Sequence, residues 1–201
     1  MGSKMQTGLL LILGTIVSLV GWMAIYPGDD SATAESAAKL MADPTLAKLG
    51  MLMGFGGMGA LFIGFLNISR KMAAGDGAGS SYANISAIMA MILIVMMAMG
   101  ISIEWAVTEA SDATEGARLM LHSVALETPV SLAGGLLLVL LGIGIILEKN
   151  FHIIIGGLAI IAGAGFLLGN VNAVDVAGFA GWIGMMLVAL ALGVQTLRSK
   201  S

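Results

Sequence analysis

Cysteine is absent from the 201 residues. That excludes disulfides, thiolate metal centres and cysteine nucleophiles. Charge is nearly as scarce: nine Lys and Arg with twelve Asp and Glu make 10% of the chain, where a soluble domain carries about 25%. The net charge is −3 and no long basic run occurs, so nucleic acid is excluded as a partner. Catalytic signatures are missing as well. Neither histidine, His122 or His152, stands in the two-His-and-Glu spacing of a metalloprotease or the Glu-x-x-His pair of a di-iron bundle. No cofactor or metal is implied, and no nucleophile triad can be assembled; Ser123 beside His122 is adjacency in sequence alone.

What the chain has in abundance is apolar sequence, 58% of its residues. The charges are also segregated. The stretches 8–26, 49–67, 85–103, 128–147, 153–169 and 176–197 contain none, and each runs to 17–22 residues. At about 1.5 Å of rise per residue, that is enough to cross a hydrocarbon core of about 30 Å. Runs such as Leu9-Leu10-Leu11-Ile12-Leu13 show no alternation of polarity, which favours helices over the strands of an outer-membrane barrel. The fold class expected is therefore all-α: one membrane domain over 1–201, a polytopic bundle of about six transmembrane helices. The first apolar stretch, after Lys4, is longer than a secretory signal core and lacks a small-residue cleavage site, so it is expected to be a retained span.

Basic residues set the orientation. Lys4, Arg70, Lys71, Lys149, Arg198 and Lys200 fall on one side of the six spans and only Lys39, Lys48 and Arg118 on the other. Both termini are then cytoplasmic, in a prokaryotic plasma membrane. Acidic residues, among them Asp29, Asp30, Glu109 and Asp175, gather outside.

The two long outer connections, 27–48 and 107–127, start with turn and cap residues and continue into Ala-rich sequence. A short external interfacial helix is expected in each. The inner run Gly75-Asp76-Gly77-Ala78-Gly79-Ser80-Ser81 has a flexible composition. Side by side, the outer connections reveal a repeat. Glu35-Ser36-Ala37-Ala38-Lys39-Leu40-Met41 matches Glu115-Gly116-Ala117-Arg118-Leu119-Met120 with one residue deleted, and Gly56-Gly57 corresponds to Gly134-Gly135. Two spans separate the copies, so 8–72 and 85–148 read as a parallel duplication, with 151–198 as a third hairpin.

This tandem hairpin, the Leu- and Gly-rich fourth span, and the ending from Gly181-Trp182-Ile183-Gly184 to Gly193-Val194-Gln195-Thr196-Leu197-Arg198 resemble a family of bacterial six-span membrane proteins classed as a domain of unknown function. The resemblance implies the topology and no activity.

Small residues spaced by four mark helix-packing faces: Gly50 and Gly54; Gly56, Ala60 and Gly64; Gly165 and Gly169; Ala180 and Gly184. Such ridges let backbones approach where lipid supplies no hydrophobic force between helices. Sixteen methionines, five of them in the third span, read as gap fillers rather than Cu(I) ligands. One polar cluster stands out at the outer ends of the third and fourth spans, with Glu104, Glu115, Arg118, His122 and Glu127 as candidate ligand-binding residues. Glu104, beside the interfacial anchor Trp105, needs a partner if buried, and Arg118 or His122 could supply one. The middles of the last four spans are apolar, which disfavours an ion-coupled carrier.

Two functions follow. The first is a non-enzymatic scaffold or accessory subunit that contacts membrane lipid and forms a homo- or hetero-oligomer through its small-residue faces. The second is a binder, carrier or interfacial enzyme for a lipophilic or small polar ligand at the outer cluster.

Overall fold

The computed structural model describes residues 2–29, 31–170 and 175–199, with Asp175 described in its backbone only. Asp30, Lys200 and the Asp175 side chain, all used in the charge count above, lie outside the described residues. Among these residues there are seven α-helices and one π turn, and no strand.

Capping chemistry sets most helix starts. The Ser3 side chain accepts the Gln6 N–H at 3.1 Å and opens α1 (Lys4–Val20). Thr33 does the same for the short α2 (Ala34–Ala42), and Asp43 caps α3 (Pro44–Ala73). After α4 (Ser80–Val107), Asp112 receives two N–H groups at the start of α5 (Ala113–Glu148). His152 caps α6 (Ile153–Gly169), and α7 (Asp175–Arg198) completes the chain. Helix α5 stops at Lys149, which adopts a left-handed backbone with φ of 55°.

Five of these helices, counting α1 with its π turn as one, are long and apolar enough to cross a membrane. The sixth, α6, has 17 residues and a length of about 25 Å. Together they make a multi-pass helical membrane bundle. Consecutive spans are neighbours and α7 returns to α1, so the six close into a ring. Phe62, Phe65, Phe166, Leu93, Leu137 and Leu141, all essentially inaccessible, fill its centre. Gly8 in α1 abuts Gly193 and Leu197 in α7, which puts the start of α1 and the end of α7 at the same end of the bundle. The other end is capped by α2.

Four of the six seams are built on glycine backbones. A Cβ on Gly14 would lie 2.8 Å from the Gly57 carbonyl oxygen, and one on Gly57 would lie 2.7 Å from that of Gly14. Between α5 and α6 the pairs Gly135–Gly163 and Gly142–Gly156 approach in the same reciprocal way. Gly165 and Gly169 receive Gly181 and Gly178 of α7, Gly184 sits against Ala162, and Gly8 meets Gly193 where α7 closes on α1. By contrast α3–α4 and α4–α5 pack through side chains, with a buried hydroxyl link: Ser69 to Ser86 at 3.0 Å, and Ser86 to the Leu137 carbonyl at 3.2 Å.

Three expectations change. The second outer connection contains no separate interfacial helix; its Ala-rich part forms the first turns of α5, 36 residues long. The cause is proline placement. Pro44 excludes Asp43 from helical backbone and divides α2 from α3, with φ −135° and ψ 82° at Asp43. Pro129 lies inside α5, where it removes one hydrogen bond without ending the helix. Second, Gly56 and Ala180 are exposed rather than packed, and nothing lies within 4 Å of a Cβ on Gly56. Gly50, Gly54 and Gly64 do meet neighbours, at Tyr26, Trp22 and Leu11, while Ala60 is half-buried. Third, the glycine-rich run 75–79 is a short turn folded on Glu148, whose carboxylate accepts the Gly79 N–H at 2.7 Å.

Gly57→Ala is therefore expected to lower the stability of the detergent-solubilised protein by about 1–3 kcal/mol through overpacking. Gly56→Ala should leave it unchanged or raise it by up to about 1 kcal/mol through helix propensity. Thermal unfolding followed by circular dichroism separates the two; equal effects would contradict the assignment of faces.

Candidate functional site at the capped end

The chain leaves α1 through the π turn Gly21–Ile25, where the Tyr26 N–H reaches the Gly21 carbonyl at 2.8 Å. A π turn carries one residue more than an α turn, and such insertions recur where a side chain must be re-aimed. Here Trp22 lies on Gly54 and the Tyr26 backbone lies on Gly50. Trp22 also packs edge-on against Tyr26 at 4.8 Å and Phe55 at 4.7 Å. These contacts fix the tyrosine.

Its hydroxyl donates to Glu104 Oε2 at 2.7 Å, and the Ser123 hydroxyl donates to Oε1 at 2.9 Å. Glu104 is 9% exposed. Three elements thus meet on one carboxylate: the turn after α1, the end of α4 and the outer part of α5. The expectation that Arg118 or His122 would pair with Glu104 gives way to this arrangement. Ser123, set aside above as a mere neighbour of His122, is the residue that counts. No local signal in the sequence joins Tyr26 to Glu104, 78 positions apart.

Glu104 stands on α4, and the other four candidates divide over two faces of α5 instead of converging on one pocket. Ser123 faces Glu104, and Glu127 follows it by four residues on that side, exposed. His122 turns the other way and lines an open groove against α4 with Met99, Ile103, Leu119 and Leu126. Arg118 and Glu115 are exposed on the helix face above His122, and Glu115 Oε2 accepts the Ser111 N–H and hydroxyl at 2.8 and 2.5 Å. Among the described residues no three His, Asp or Glu side chains gather as a cation site.

Charged contacts tie down the rest of this end. Lys48 reaches Glu109 at 2.8 Å and sits 4.7 Å from the Trp105 ring centre, joining α3 to the end of α4. Lys39 meets Asp29 at 3.1 Å and Glu35 at 3.3 Å. The Asp29 carboxyl is held well below the usual range by hydrogen bonds from Ser31, then Ser36 and Lys39. Glu109 is lowered by its bond to Lys48, and Glu115 by its bonds to Ser111.

At this end hydroxyls and cations hold carboxylates. The arrangement belongs to a multi-pass helical membrane protein. Compared with known proteins, the chain matches no family model, no curated protein and no solved structure.

Two outcomes follow. Glu104→Leu leaves the Tyr26 and Ser123 hydroxyls without their acceptor and should cost about 1.5–3 kcal/mol of thermal stability; an unchanged melting curve would show that the contact contributes nothing. For Asp29, Glu109 and Glu115 the folded pKa is depressed, so their stabilisation is present above the ordinary carboxylate values of 3.8 to 4.5 and is lost as pH falls below them. Protection of the amides in 27–29, 31–43 and 107–116, after correction for intrinsic exchange, should fall relative to the span interiors between about pH 4.5 and pH 2. Uniform behaviour along the chain would contradict this.

Proposed function

We propose that the protein is a non-enzymatic scaffold or accessory subunit of a membrane assembly, associating through the outward face of α3. One observation carries this reading. Leu52, Gly56, Gly59, Ala60 and Ile63 share that face, and a Cβ on Gly56 or Gly59 would touch nothing within the chain. Glycine weakens a helix by about 1 kcal/mol relative to alanine, and these two glycines return none of it through packing in the bundle. A flat face of this kind suits close approach by a helix of another subunit.

The topology proposed with it has both termini in the cytoplasm of a prokaryotic cell and the capped end outside, supported by the distribution of Lys and Arg. The duplication of 8–72 and 85–148 belongs to the same reading. In its support, the two matched segments lie against each other, with Ala37 of α2 on Gly116 of α5. Kinship with the bacterial six-span family is likewise a proposal, supported by the quoted sequence pattern.

Gentle detergent extraction followed by native mass spectrometry is expected to give a defined assembly heavier than one chain. Gly56→Leu with Gly59→Leu should disperse it without lowering helix content. A monodisperse single chain from the unaltered protein, with nothing bound, would overturn the proposal.

A further inference from the structure

The groove between α4 and α5 at the capped end has a volume of about 580 Å³ and is open at its side. Its walls are apolar at Met99, Ile103, Leu119 and Leu126, with His122 between the last two. The level of the membrane surface here is marked by Glu104, which touches Ser123, and by the adjoining Trp105. The inner part of the groove, at Met99, Ile103 and Leu126, thus lies against hydrocarbon, and His122 lies at the boundary.

Beyond His122 the same face of α5 carries Arg118 and then Glu115. At 1.5 Å per residue these stand about 6 Å and about 10 Å further out, and about 4.5 Å from each other. Three basic side chains occupy this end, and Lys39 and Lys48 both have carboxylate partners. Arg118, exposed in the second turn of α5, makes no salt bridge within 4 Å among the described residues and acts on Glu115 only at longer range. Glu115 uses only Oε2 toward Ser111. From the membrane outward the order is hydrocarbon wall, imidazole, guanidinium, carboxylate.

A phospholipid with a primary amine in its headgroup has the complementary order: acyl chain, phosphate, ammonium. We infer that this groove is a binding site for a zwitterionic aminophospholipid of the leaflet on the capped side, with the phosphate at Arg118 and His122 and the ammonium at Glu115. Arg118 supplies the planar donor pair that suits phosphate. The carboxylate beside it is what selects against a purely anionic lipid, since it repels a headgroup lacking the amine. The inference is independent of the subunit role and of which way the bundle faces, because it uses only the level of the membrane surface and the order of groups along α5.

The test is lipid titration of the delipidated, folded full chain in mild detergent, followed by native mass spectrometry. Phosphatidylethanolamine, phosphatidylcholine and phosphatidylglycerol with identical acyl chains are the probes. The ethanolamine lipid should be retained most tightly. Arg118→Ala should weaken its retention about tenfold, the worth of one charge-assisted hydrogen bond. Glu115→Gln, which keeps the capacity to accept from Ser111, should abolish the preference among headgroups and preserve phospholipid binding. Leu126→Trp, filling the groove, should displace all three lipids. Circular dichroism of each variant confirms that the comparison is between folded proteins. Equal retention of the three lipids, tighter retention of phosphatidylglycerol, or retention unchanged by Arg118→Ala would overturn the inference.

Discussion

Backbone contact between helices is the constraint on which this bundle depends. In lipid the hydrophobic effect brings an apolar chain into the membrane but does not press one apolar helix against another. What remains is dispersion, which acts only at contact distance. Gly14 against Gly57, Gly135 against Gly163, Gly142 against Gly156 and Gly165 against Gly181 bring main chains to that distance along three seams, and Gly8 against Gly193 closes the ring. The two seams of α4 are different. That helix has a single glycine, Gly100, and packs through Leu93, Met97 and the alanines Ala83, Ala87 and Ala90. Its methionines suit a seam of irregular shape because a thioether chain adapts to the gap it finds.

Polar contacts concentrate where that packing ends. Beyond the hydrocarbon, the outer part of α5 and the short α2 are held by a second apolar cluster, with Leu40, Ala47, Met51, Val107 and Met120 at its centre. Beside it stands the Glu104 carboxylate with its two hydroxyl donors. Burying a carboxylate is costly unless its oxygens are hydrogen-bonded. The π turn makes that possible by delivering Tyr26 from the end of α1 to a residue on α4. The same turn seats Trp22 and the Tyr26 backbone on Gly54 and Gly50, so the glycine seam and the polar junction are one continuous structure.

Much of the fold was legible in advance, because the quantity that governs it is local. Charge-free stretches long enough to span the bilayer mark the helices, and capping residues such as Ser3, Asp43 and Asp112 mark several of their starts. The glycine pairs were partly legible. Gly14 and Gly21, Gly135 and Gly142, and Gly156 and Gly163 are each seven apart, a spacing that signals a seam, yet a search at intervals of four passes over it. Gly56 read as part of a small-residue packing face. Four residues advance a helix by 400°, so the 56, 60, 64 series drifts around α3 from the outward face to the α1 side. The polar junction was half legible: Glu104 stood out by its charge, whereas nothing in the sequence marked Tyr26, and Ser123 was only the neighbour of His122.

The sequence by itself determined that this chain is a multi-pass helical membrane protein, because the transfer of each uncharged stretch from water to oil depends on that stretch alone. Tertiary structure decided which glycines touch, that Tyr26 and Ser123 hold Glu104, and that His122 and Arg118 share a face while Glu127 lies on the other. Those outcomes depend on the relative rotation and depth of helices far apart in the chain, and no single segment encodes them.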